Sequence, residues 1–244
     1  MRVAIFISLF GIVLGGSDSL AGSEKTEAEK LFRQMEAQLG EAKTIQCNFQ
    51  MVLQACPGGI AKGSLILADG NKSRTEMENA GERQKADRVV TVCDGKKMAI
   101  IEAGATVQAH DVPQWQNKAL KAGFARVGIT TTRLAPLADE GKDFKADEAF
   151  AVTDFKLGEN GRIGLREARL IQYTLVTKGL DVRTGKTRFA VSLWLDVETS
   201  LPLKRVVVPL EGDLEFTLTE TYRGLTLDGK IDSKQFELPK EPSR

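Results

Sequence analysis

Ile45-Gln46-Cys47-Asn48-Phe49-Gln50-Met51-Val52-Leu53-Gln54-Ala55 alternates without interruption. One face carries Ile45, Cys47, Phe49, Met51, Leu53 and Ala55; the other carries Gln46, Asn48, Gln50, Val52 and Gln54. A period of two held this long predicts a long half-buried strand with one wet face. Behind it, Cys56-Pro57-Gly58-Gly59 turns the chain and residues 63–68 return as a second strand. Asp69-Gly70-Asn71-Lys72 then turns it again, into a polar strand at 73–78. Connections this short join antiparallel neighbours.

Ahead of that strand the period is different. Thr26 with Glu29 forms a capping box, and Ala28, Leu31, Phe32, Met35 and Leu39 recur at three- and four-residue spacing, giving a helix with one apolar stripe. Gly40 is the expected stop. Such a stripe needs an apolar surface to lie on.

Downstream, residues 79–88 read as a polar loop, and 89–93 and 98–102 as a hairpin closed by Asp94-Gly95-Lys96-Lys97. Residues 106–112 extend the meander, Pro113 opens a short helix through Phe124, and 130–147 leans helical. Strands follow at 151–157, 168–177, 189–196, 203–209 and 214–222, with a turn at 158–161. No strand-helix-strand rhythm occurs, so the sheet should be antiparallel throughout. The expected class is α+β, mainly antiparallel β: a long curved sheet capped by a helix. The residues after Leu238 read as a frayed tail.

The first 21 residues read as a secretory leader: Arg2, the apolar run from Val3 to Leu14, and the small-residue ending Ser19-Leu20-Ala21. That run is shorter than the roughly 20 residues that span a bilayer. The expected organisation is a leader at 1–21, a single domain at 22–240 and a tail at 241–244, in an exported, periplasmic protein. Lys and Arg number 34 against 33 Asp and Glu, with the signs interspersed. This balance excludes nucleic acid as a partner and leaves the protein peripheral at most to a membrane. A monomer is expected.

Cys47, Cys56 and Cys93 are the three cysteines. If 45–55 is one straight strand, Cys47 and Cys56 lie roughly 30 Å apart, so a disulfide would have to involve Cys93; three buried thiols without a bridge is the other option. With one histidine and no CxxC, no metal site is expected and no cofactor is called for.

Catalytic apparatus is not visible. His110 beside Asp111 reads as a solvated strand-end histidine, and no GxSxG elbow follows the leader. Gly179 to Thr187 has one residue too many between its glycines for a phosphate loop, and Gly158, Gly161 and Gly164 lack dinucleotide spacing. The acidic residues Asp139, Glu140, Asp143, Asp147 and Glu148 are interleaved with Lys142 and Lys145, the pattern of a solvated face. The protein is expected not to be an enzyme. A curved sheet with one apolar face either packs on its helix or encloses a greasy hollow. The candidate lining is Leu31, Phe32, Met35, Phe49, Met51, Leu53, Leu65, Leu67, Ile100, Leu193 and Leu195.

Several short motifs fall in one order: Phe49-Gln50 in the first strand, Gly63-x-Leu65-x-Leu67, Arg74, Cys93-Asp94-Gly95-Lys96, and Leu195-Asp196-x-x-Thr199-x-Leu201-Pro202. Ile231-Asp232-x-x-x-Phe236-x-Leu238-Pro239 closes the series. In that order they resemble the periplasmic lipoprotein-carrier superfamily, LolA-like and LolB-like. The resemblance implies an incomplete, half-open β-barrel with an N-terminal helix and short lid helices over its concave face. It implies a non-enzymatic carrier of the acyl chains of lipids or lipoproteins, handed between membrane-bound donor and acceptor proteins, of the outer-membrane lipoprotein-sorting type. Arg74 is the basic residue that matches the family pattern, whereas Ala68-Asp69-Gly70 stands where the carrier proper has Lys-Arg-Pro. The alternative is a sensor or regulatory module of the same fold that holds a protein partner.

Overall fold

The computed structural model describes residues 18–55, 58–79, 88–102, 105–130, 144–178, 186–211 and 215–239. The polar loop at 79–88 lies mostly outside them, as do Cys56 and most of the segment 130–147.

The alternating stretch is strand β1 (Thr44–Gln54), and its buried positions Ile45, Cys47 and Phe49 are the odd-numbered ones. It pairs with β2 (Gly59–Ala68), which pairs with β3 (Lys72–Asn79), each antiparallel. The meander continues through β4 (Arg88–Asp94), β5 (Lys97–Glu102) and β6 (Ala105–Asp111). β2 begins at Gly59 and not at 63. Gly59, read as turn, is its first residue, and Gly63 sits where β2 and β3 approach closely. A Cβ there would stand 1.8 Å from the Glu76 carbonyl oxygen and 2.8 Å from the Phe49 ring, so only glycine allows this approach.

After β6 the chain leaves the sheet through α2 (Gln116–Arg126) and the short α3 (Ala146–Ala149), and re-enters at the far edge as β7 (Phe150–Leu157). β8 (Gly161–Ile163), β9 (Arg166–Lys178), β10 (Lys186–Asp196), β11 (Pro202–Pro209) and β12 (Thr217–Leu227) then work back toward the middle. The order is β6-β5-β4-β3-β2-β1-β12-β11-β10-β9-β7, with β8 on the side of β9, in one 12-stranded antiparallel sheet. Its edges β6 and β7 are not paired with each other, so the sheet curls without closing: a half-open barrel. The first and last strands meet at its centre, where Ile45 faces Leu227 and Phe49 faces Tyr222. Asp228 ties the end of that seam, its N–H donating to the Thr44 carbonyl (2.9 Å) and its Oδ1 accepting from the Lys43 N–H (2.7 Å).

The helix α1 (Asp18–Glu41) is longer than the capping box suggests and runs one residue past Gly40. Ala28, Phe32, Met35 and Leu39 lie on its buried stripe at 0% exposure, packed against the inner face of the sheet. The outer face of β2 and β3 carries a different cover. A 3-10 turn (Ser233–Phe236) seats Phe236 on Ile66 and Ala68, and Arg74 Nη1 donates to the Gln235 carbonyl (3.2 Å). Cys47 and Cys93 are both free and buried, so neither engages in a bridge.

Candidate functional site

The inner face of the sheet, under α1 and α2, is the place where the predicted lining converges. Phe32, Met35, Phe49, Leu65, Leu67, Leu193 and Leu195 belong to one contiguous buried cluster, with Leu31 and Met51 half-buried against it. Phe32 and Met35 bring the α1 stripe into that cluster, and Leu120 and Phe124 bring α2. Leu53, at 37% exposure, lies at the open end of β1. Ile100 is half-buried on β5, reached across the sheet through the paired residues Cys47, Leu65, Thr75 and Thr91. Like Leu53, it lies outside the cluster that holds the other nine. Arg74 belongs to the opposite face. It pairs with Glu76 (2.6 Å) and holds the C-terminal segment, so it has no access to the concavity.

At the end of the sheet where β1 finishes, Leu53, Ile60, Val208 and Leu210 are exposed. A cleft of about 500 Å³ there is lined by Gln54, Val208, Pro209, Leu210, Glu211, Glu215, Phe216 and Thr217. Phe216 also packs against the buried cluster and lies 6.3 Å, centroid to centroid, from Phe189. Phe216 is thus shared between the cleft lining and the edge of the cluster.

The cover over the floor is held by polar contacts. Lys121 on α2 reaches across to the Ala42 carbonyl (2.6 Å) and Asp69 (3.4 Å). Asn117 Nδ2 donates to the Ala68 carbonyl (2.7 Å), and the Asn117 N–H donates to the Asn71 side chain (2.6 Å). Arg126, buried in the last turn, pairs with Glu36 of α1, with Asp147 of α3 (2.7 Å) and with the Phe150 carbonyl (2.8 Å). One side chain thereby ties both other helices and β7 to α2.

Beneath the end of α2 lies a cluster that the sequence reading missed. Arg205 and Glu220, on the adjacent strands β11 and β12, face each other at 0% exposure with 3.7 Å between Nη1 and Oε2. Arg205 donates to the α2 carbonyls of Phe124 (3.0 Å) and Ala125 (2.7 Å) and to the Tyr222 hydroxyl (3.2 Å). Tyr222 in turn donates to Glu220, Tyr173 donates to the Arg126 carbonyl (2.7 Å), and Glu220 accepts from the Ile129 N–H (3.0 Å). The guanidinium thus caps the negative end of α2. Gly128 is forced here: its φ is +114°, and a Cβ would stand 2.0 Å from Glu220 Oε2. The signal was in the sequence. Arg205 stands between Leu203 and Val207, and Glu220 between Leu218 and Tyr222, each on the apolar parity of its strand.

Ionisation follows these surroundings. Burial, with the Glu220 charge adding to it, pushes the Cys47 thiol up to about 12, so it is an inert core group. The Arg126 hydrogen bond and charge hold the Asp147 carboxyl below the usual range. For an acid with a lowered folded pKa, the stabilisation is complete above the unfolded value of about 4 and disappears as pH falls through the lowered one. Protection of the α2 amides, taken relative to the free-peptide exchange rate at each pH, is therefore expected to hold from pH 7 to about 4 and to fall below it. Asp147→Asn should remove that acid arm; a profile for the unaltered chain that stays flat to pH 3 would refute the clamp.

No family model and no curated protein matches the chain. Among solved structures it is similar to LprF from Mycobacterium bovis, at a TM-score of 0.48 and 9% identity, over 85% of this chain and 95% of that one. The MucA/MucB complex of Pseudomonas aeruginosa gives 0.44 and 14%, over 87% of this chain and 61% of that one. A LolA superfamily protein from Nitrosomonas europaea gives 0.39 and 11%, over 86% and 97%.

Proposed function

We propose that the protein is an exported, non-enzymatic carrier that holds the acyl chains of a lipid or lipidated protein between the inner face of the sheet and the helices α1 and α2. The observation that carries this reading is the nature of the cover. An apolar floor in an open sheet is covered by two helices whose apolar stripes pack on it, while Lys121, Asn117 and Arg126 fasten α2 by polar contacts that water can replace when that helix lifts. The rim of Leu53, Leu210 and Phe216 gives a chain an apolar approach to the interior. The leader at 1–21 supports export, and the donors and acceptors of the cargo would be membrane-bound.

The test uses protein exported through its own leader and purified without detergent. Mass spectrometry under gentle conditions is expected to find bound acyl ligand, and long-chain lipids should displace an apolar fluorescent dye from the delipidated protein. Repeated preparations that carry no ligand, combined with no dye displacement, would overturn the reading.

A further inference from the structure

We infer that Arg205 is a ligand-binding residue: when the last turn of α2 lifts, its guanidinium takes the ester carbonyls of a diacylglyceryl group in place of the peptide carbonyls of Phe124 and Ala125. This rests on the carrier reading above and adds the chemical class of the cargo's polar end. In the closed state Arg205 holds two neutral carbonyl oxygens, at 3.0 and 2.7 Å, in the middle of an apolar floor between Leu203 and Val207. Two ester carbonyls on adjacent glycerol carbons offer the same kind of acceptor to the same fork of donors. Exchange of carbonyl for carbonyl lets the helix lift without leaving the charge unpartnered.

Two further observations favour neutral esters over a phosphate. Glu220 already balances the Arg205 charge, so the pair has no net charge to offer an anion, and Glu220 would repel one. Arg205 Nε, by contrast, is buried and lacks a hydrogen-bond partner among the described residues. A bare donor in such a place is costly, and an added neutral acceptor relieves it. An ester carbonyl entering a hydrocarbon interior needs a donor for the same reason.

The experiment compares dioleoylglycerol with its ether-linked analogue, which has the same chains and no carbonyls, as displacers of an apolar dye from the delipidated full-length protein. The ester is expected to bind about tenfold or more tightly than the ether, and the ratio should fall toward one in Arg205→Lys. Equal binding of ester and ether to the unaltered protein overturns the carbonyl contact and leaves the carrier reading standing. Binding of neither overturns both. An undiminished ester preference in folded Arg205→Lys shows that another group reads the carbonyls and refutes the assignment. Should Arg205→Lys not fold, the same ratio is measured in Arg205→Met/Glu220→Met, where it is again expected to fall toward one; an undiminished ester preference there refutes the assignment.

Discussion

Arg205→Met is expected to cost about 3–5 kcal/mol of folding stability, read as a large drop in the urea midpoint with little change in slope. The substitution keeps the bulk of the side chain and removes three things together. Glu220 is left ionisable and buried without its cation, the Phe124 and Ala125 carbonyls lose their donor, and α2 loses the charge at its negative end. The double variant Arg205→Met/Glu220→Met should recover part of the loss, because an apolar pair needs no compensation. Recovery stops short of complete, since the Ile129 N–H and the Tyr222 hydroxyl then lose their acceptor, at about 1 kcal/mol or more each. A single variant that loses less than about 1 kcal/mol would show that the pair is not the anchor of α2.

Phe32→Ala should be comparably damaging, at about 3–5 kcal/mol. Phe32 is fully buried at the centre of the α1 stripe, edge-on to Tyr173 at 5.0 Å and tilted against Phe155 at 5.3 Å. Removing the ring deletes those aromatic contacts and leaves a void lined by Met35, Tyr173 and other members of the cluster. The same void gives the carrier reading a second readout. A vacated apolar space in a ligand-holding interior should raise affinity for a small apolar dye even as stability falls. If stability falls and dye affinity stays unchanged, the space under α1 is structural packing and no part of a ligand path.

Strand β1 was legible because its period never breaks, and the Asp94-Gly95 hairpin because Gly95 at φ +107° takes a conformation that glycine supplies readily. One strand was read short because a bulge interrupts its period. β12 was read to Tyr222 but runs to Leu227: Gly224 at φ +60° inserts opposite β1, where the register slips between Gln46 and Asn48. Past the bulge, Leu225 and Leu227 still pack on the core cluster. β7 has the same device at Asp154, φ +57°, so that Val152 and Phe155, three apart, are both buried. The three-residue β8 begins at Gly161, the last residue of the expected turn.

The candidate lining was legible to the extent that it follows strand parity, and seven of the eleven residues converge in one buried cluster. Ile100 lies beyond it because parity says which face a residue takes but not how far across a wide sheet its strand lies. Arg74 was placed by resemblance to a motif, and even-numbered β3 positions face outward, toward the C-terminal segment. Arg205 was overlooked because residues were weighed as catalytic or metal-ligating types, and a charge on an apolar parity belongs to neither.

The seam between β1 and β12 sets a condition on the protein's biogenesis. The strand that begins at Thr44 finds half its backbone partners only in the strand that ends at Leu227, so nearly the whole polypeptide must emerge before the middle of the sheet can zip. Until then β1 and β2 form a hairpin with an unsatisfied edge, a template for wrong pairing with other chains.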